Sequence, residues 1–362
     1  VLQSIDFSKC AGATLFIFAC YKSHHTMKTV NIFIAVLCAV IFSSTTYGAI
    51  LRVNSTPGMA APYTSLSSAA AAAAPGDTIY IEGAATVYSG ASISKPLVLI
   101  GPGYFLNESN PRTQANATVA ELNYIIFDVG SKGSVAQGLK ISSTYVKDSF
   151  VTIQRCLLAS AILNYSNTTT YGDTIRNCYI TGSVSTSGTV GHTKSLMFYN
   201  NISVATTPIS LNSASSGFVV NNVFGASTNL FSCSNMLFQN NIFKSPSFTS
   251  YLTLNAFYNN IACNAAGIPS GNGNVLGATW DDLFISDTSA TSDGKFQLAP
   301  TSIAIDAGDL NGADVDCGAF GGPAPYILSG MPNVPSIYYL DVPEIVPVGT
   351  ETILIKIGAS AH

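Results

Sequence analysis

The sequence predicts an all-β fold: a right-handed parallel β-helix solenoid with a short N-terminal capping helix and a C-terminal strand pair. Three observations carry this reading. A degenerate repeat runs through the middle of the chain, short β-branched and aromatic runs alternate with polar turns, and paired asparagines recur at one place in four of the six repeats.

The repeats read Gln154–Leu158, Arg176–Ile180, Tyr199–Ser203, Val220–Phe224, Gln239–Phe243 and Tyr258–Ala262. Their middle residues (Cys156, Cys178, Asn201, Asn222, Asn241 and Asn260) are separated by 22, 23, 21, 19 and 19 residues. Gln137–Ile141 fits the same frame one repeat upstream. Strands this short cannot bury an apolar face alone, so coils must stack at the spacing of paired strands, roughly 4.8 Å. Asparagine suits the turns because it tolerates the left-handed backbone region and its amide both donates and accepts. Asparagines on successive coils would then hydrogen-bond along the axis. A leucine-rich repeat would need L-x-x-L-x-L, which is absent. About 11 coils of this length fit between Asp77 and Pro300.

Pro62–Leu66 followed by Ser67–Ala74 predicts a short helix with Thr64 or Ser65 as N-cap, stopped by Pro75-Gly76. It would cover the open end of the core. Asp77–Ile81 is then the first strand and Lys95–Gly101 supplies the next. Past residue 330, Ile337–Val342 and Thr352–Ile357 predict the terminal strand pair within 331–362, leaving 49–330 to the solenoid.

Upstream, Met27-Lys28-Thr29, an apolar run from Ile32 to Phe42 and the small residues before Ala49 have the form of a secretory signal peptide spanning 27–48. The apolar run is too short for a membrane span, which needs about 20 residues. Residues 1–26 are expected to be an extension ahead of the true start at Met27. A secreted or cell-surface product follows, with no span in the mature chain. Of eight cysteines, five lie beyond the leader, without the spacing of a disulfide framework or a zinc site. Charged residues are only 9% of the chain and the net charge is −4. No basic stripe is present for a nucleic acid.

Ala74-Pro75-Gly76-Asp77-Thr78-Ile79 after a helix resembles the opening of the pectin-lyase-like β-helix superfamily. Leu99–Tyr104, Phe296–Pro300, Asp316–Gly322 and Pro325–Gly330 resemble segments of secreted bacterial right-handed β-helix proteins, most of which have no assigned activity. The resemblance covers roughly residues 50–340 and implies fold and export rather than a reaction.

Polygalacturonase-like hydrolases carry motifs resembling N-T-D, G-D-D, G-H-G and R-x-K. Here Asp281-Asp282 follows Trp280, Gly191-His192 precedes Thr193, and R-x-K is missing. A polysaccharide lyase needs a basic side chain to take the proton beside a uronate carboxylate, and a cation to neutralise that carboxylate. Chondroitinase- and alginate-lyase-like β-helices open with a similar helix and Pro-Gly-Asp-Thr-Ile. The candidate catalytic residues are therefore Lys140, Arg155, Asp173 and Arg176, on neighbouring coils. The repeat frame sets Arg176 against Gln154 and offsets Arg155 by one residue, so the two arginines face different ways. Solvated surface charge is the plainer account of all four.

Asp309, Asn311, Asp314 and Asp316, with Asp306 beside them, are the candidate metal ligands, and Ca²⁺ is the ion such oxygens would suit. Turn-forming duty in Asp-Gly segments explains them as well. The functional expectation is a secreted protein that binds extracellular polysaccharide without an identifiable catalytic centre. The alternatives are a lyase acting on an acidic glycan and a structural or adhesive surface module.

Overall fold

The computed structural model describes residues 48–362 apart from 109–114, 189, 249–253, 286–289, 344 and 361–362. The expected extension and nearly all of the leader lie outside the described residues. The described residues from Gly48 to Leu276 wind as a parallel β-solenoid. One sheet has ten parallel strands, from Ile50–Val53 through Thr78–Ile81 to Ala256–Tyr258. Each pairs with its counterpart one coil away, as in Arg176↔Gln154 and Arg176↔Tyr199. A second, fifteen-stranded sheet takes the strands that follow the asparagine turn, to Val275–Leu276, together with Ala91–Ile93, Glu121–Phe127, Lys140–Val146 and the strands further round each coil from Ala161–Leu163 to Pro246–Phe248.

The capping helix spans Leu66–Ala72, with Ser65 Oγ accepting from the Ser68 amide. Leu66, Ala69, Ala70 and Ala73 close the end of the core, as anticipated. The solenoid starts earlier than Asp77, however, because Ile50–Val53 already pairs with Thr78–Ile81.

The paired asparagines divide the labour. The second of each pair points inward and is fully buried at Asn201, Asn222, Asn241 and Asn260. The Oδ1 atoms of Asn201, Asn222, Asn241, Asn260 and Asn274 accept from the backbone N–H of Cys178, Asn201, Asn222, Asn241 and Asn260 in turn, at 2.8–3.0 Å. Each Nδ2 donates back to a strand carbonyl, as Asn241 does to Val219 at 2.7 Å. Polar turn groups are thus satisfied inside an apolar column. Cys156 and Cys178 hold this position in the earlier coils, their thiols facing the Ala136 and Ile153 carbonyls. Burial pushes the Cys156 thiol up to about 12, which keeps it protonated.

The first residue of each pair is left-handed. Arg155, Asn177, Asn200, Asn221, Asn240 and Asn259 have φ between 51° and 56°, which turns their side chains outward. There they meet a part of the fold with no repeat. After Leu276 the chain leaves the axis and runs back along the outside of the turns. Asn240 Nδ2 donates to the Asp309 carbonyl, Asn221 to Asp316 and Asn200 to Ala319 and Gly321. Asn177 then reaches Ala324 and Pro325, and Arg155 reaches Met331. Residues 277–335 therefore form a strap rather than further coils. For this reason only nine strands of the first sheet, ten less Ile50–Val53, lie between Asp77 and Pro300 among the described residues, fewer than the 11 coils anticipated. The strap ends in an antiparallel pair, Ser336–Asp341 with Lys356–Ser360.

Candidate functional site

The strap has an apolar underside because the column beneath it is apolar. Where the second sheet begins in each coil, one outward position runs Tyr179, Ile202, Val223, Ile242 and Ile261 in direct register. Leu283, Phe284, Ala304, Cys317, Ala319 and Tyr326 of the strap bury it. Toward the N-terminal end the same column continues through Leu157 to Lys140 and Glu121. The strap stops short of these last two, and the column changes from hydrocarbon to charge.

Here the surface opens into a groove. One cleft of about 430 Å³ is lined by Lys140, Glu121, Leu157, Tyr104, Phe105, Asn107 and Thr118, among others. A second of about 440 Å³ is lined by Arg52, Asn54, Tyr80, Glu82, Met59 and Asn116, among others. They share Ala85 and Thr118 and so are two ends of one groove. Lys140 Nζ lies 2.9 Å from Glu121 Oε2. Glu82 is held by Arg52 at 2.6 Å and by Asn54 Nδ2 at 2.9 Å. Burial, then the charge of Glu82, raises Tyr80 above its ordinary value.

The strap also shapes one wall. Asp293 is wholly buried. Its Oδ2 accepts from Tyr326 OH at 3.1 Å and the Ser329 amide at 2.6 Å, and its Oδ1 accepts from Thr291 Oγ1 at 2.6 Å. The Tyr326 and Tyr104 hydroxyls are 2.5 Å apart, and the Tyr104 amide donates to the Ser329 carbonyl. Burial is the main reason that both phenols are raised well above their ordinary range. This latch fixes Tyr104 and the left-handed Phe105 (φ 52°) at the groove. Tyr326→Phe is expected to cost about 1–3 kcal/mol and to raise amide hydrogen exchange at residues 103–106 more than in the central coils. Unchanged exchange there would show that the latch does not set the wall.

The four candidate catalytic residues do not converge. Lys140 is in the groove, paired with Glu121. Arg155 lies under the strap, where burial and neighbouring Arg176 lower its ordinary value. Arg176 lies flat on the first sheet, its Nε 2.7 Å from Gln154 Oε1 and its guanidinium over the Tyr199 ring. Asp173 is inside the solenoid at 1% exposure. Its Oδ1 accepts from the Val151 amide at 3.1 Å, while Oδ2 accepts no well-formed hydrogen bond among the described residues. Burial pushes this carboxyl up to about 7.

The acidic run is a β-hairpin, Gly308–Leu310 paired with Ala313–Val315 across an Asn311-Gly312 turn. Both turn residues have positive φ, which asparagine and glycine supply at least cost. Asp309 Oδ1 accepts from the Gly312 amide, and Asp316 Oδ1 from the Asp306 amide. Asp314 sits opposite Asp309 in the ladder. Among the described residues, no three or more His, Cys, Asp or Glu side chains gather to hold a metal ion. His192 Nδ1 meets Asn212 Oδ1 in a turn. The five cysteines from Cys156 to Cys317 are free.

Glu121, Arg52 and Glu82 were not singled out in the sequence. The available signal for Glu121 was its place 19 residues before Lys140, as its direct partner in register. No helix among the described residues is long and apolar enough to cross a membrane. The chain matches no known family and no curated protein.

Proposed function

We propose that this is an exported, right-handed β-solenoid that binds extracellular polysaccharide in the groove between Lys140 and Arg52. Export rests on the leader-like segment ending near Gly48, and kinship with the pectin-lyase-like superfamily rests on the Pro75-Gly76-Asp77-Thr78-Ile79 opening. The observation that carries the reading is the change of one surface column from buried hydrocarbon to half-buried charge where the strap ends. Sugars present apolar ring faces and hydroxyls. Phe105, Leu157 and Met59 offer the first kind of surface, and Asn107, Asn116, Thr118 and the charged pairs offer the second.

Binding is favoured over elimination because both basic side chains in the groove, Lys140 and Arg52, are tied to carboxylates. Lys140→Ala is expected to weaken retention in polysaccharide affinity electrophoresis about tenfold, the value of one charge-assisted hydrogen bond. Wild-type retention that the substitution leaves intact would place the site elsewhere. Release of unsaturated uronate, read by ultraviolet absorbance, would favour a lyase. Binding to no glycan would favour an adhesive role.

A further inference from the structure

The charges in the groove distinguish between classes of glycan. Among its lining residues are two cations, Arg52 and Lys140, and two anions, Glu82 and Glu121. They are not scattered. Each cation already touches its own carboxylate, at 2.6 and 2.9 Å. Glu82 is held further by Asn54, so Arg52 faces a carboxylate anchored from two sides. Glu108, exposed beside Asn107, adds a third carboxylate near the rim, its Oε2 accepting from the Ser292 amide.

We infer that the groove takes a neutral glycan and disfavours one carrying carboxylates; the inference rests on the polysaccharide-binding reading above. A uronate entering beside Lys140 or Arg52 meets an anion within one hydrogen-bond length of the cation it seeks. It must either displace that carboxylate, which leaves Glu82 or Glu121 unpaired, or accept its repulsion. A neutral sugar has neither cost. Hydroxyl groups both donate and accept, so they add to an existing ion pair, giving hydrogen bonds to the carboxylate and taking them from the ammonium or guanidinium. An ammonium has three donors, of which the contact with Glu121 uses one. The Tyr80 phenol at the groove supplies another donor without charge. The chain's net charge of −4 adds a weak repulsion toward polyanions at low ionic strength.

The test is affinity electrophoresis of the full chain at low ionic strength against soluble β-glucan, galactomannan and galactan on one side, and alginate and polygalacturonate on the other. At least one neutral polymer is expected to retain the wild type about tenfold more strongly than either polyuronate. Glu82→Gln with Glu121→Gln removes both anions and keeps the shapes of their side chains. This pair is expected to strengthen polyuronate retention about tenfold, and more so at low salt. Glu121→Gln alone, which leaves the Arg52–Glu82–Asn54 cluster intact, should give part of the gain and guards against misfolding of the double variant. Polyuronate retention equal to or above neutral retention would overturn the inference while leaving polysaccharide binding standing, as would Gln variants with no gain. Retention by none of the five polymers would remove both.

Discussion

Replacing Asp173 by asparagine is expected to stabilise the protein by about 2–4 kcal/mol near pH 8 and to change little near pH 4. The carboxyl is buried, and burial is the main reason that it is pushed up to about 7. In the unfolded chain it ionises near the ordinary value of 3.8. Below about pH 4 both states hold the proton and there is no penalty. Between about 4 and 7 the folded state retains a proton that the unfolded state has lost, so stability falls as pH rises. Above the folded value a charged carboxylate sits in the core with no well-formed hydrogen bond to Oδ2 among the described residues, and the penalty is complete. Asparagine does not titrate and keeps an oxygen for the Val151 amide. Urea unfolding at both pH values checks this. An equal effect at the two would mean that the carboxyl is not desolvated as described.

Asn241→Ala is expected to destabilise by about 4 kcal/mol, against about 2 kcal/mol for Asn240→Ala. These neighbours do different work. Both are fully buried, but Asn241 lies inside the solenoid and Asn240 under the strap. Loss of Asn241 leaves the Asn222 amide without its acceptor and the Val219 carbonyl without its side-chain donor, and it breaks the contact with Asn260. Buried groups without partners account for most of that cost. Asn240 instead holds a left-handed backbone (φ 56°) and ties down Asp309 of the strap. Asn240→Gly should therefore recover part of the loss by relieving the backbone, whereas Asn241→Gly should recover none. Denaturant midpoints for the four variants measure this. The m-value should be followed as well, since long repeat arrays can lose two-state behaviour. Equal losses at both positions would mean that the two columns are not distinct.

Much of the solenoid was legible because it is periodic. The six repeats named positions that do stack, and the offset between Arg155 and Arg176 read from that frame matches the pairing of Arg176 with Gln154. Asn274 escaped because its coil is short: it continues the ladder only 14 residues after Asn260. The strap was illegible for a different reason. Its attachments run from asparagine side chains to backbone carbonyls 69 to 148 residues away, and any residue can offer a carbonyl. The candidate residues were drawn from neighbouring coils, which gave proximity along the axis but not direction. One of the four, Lys140, lines the groove, while Asp173 points into the core and Arg155 under the strap.

The returning segment has a mechanical consequence. A bare stack of coils can peel from either end one turn at a time, since each turn touches only its neighbours. Here the residues from Asp309 to Met331 are fastened across successive turns in the reverse of the order in which those turns were laid down. Tension applied beyond the terminal strand pair would be borne by these lateral fastenings before any turn beneath them could unwind.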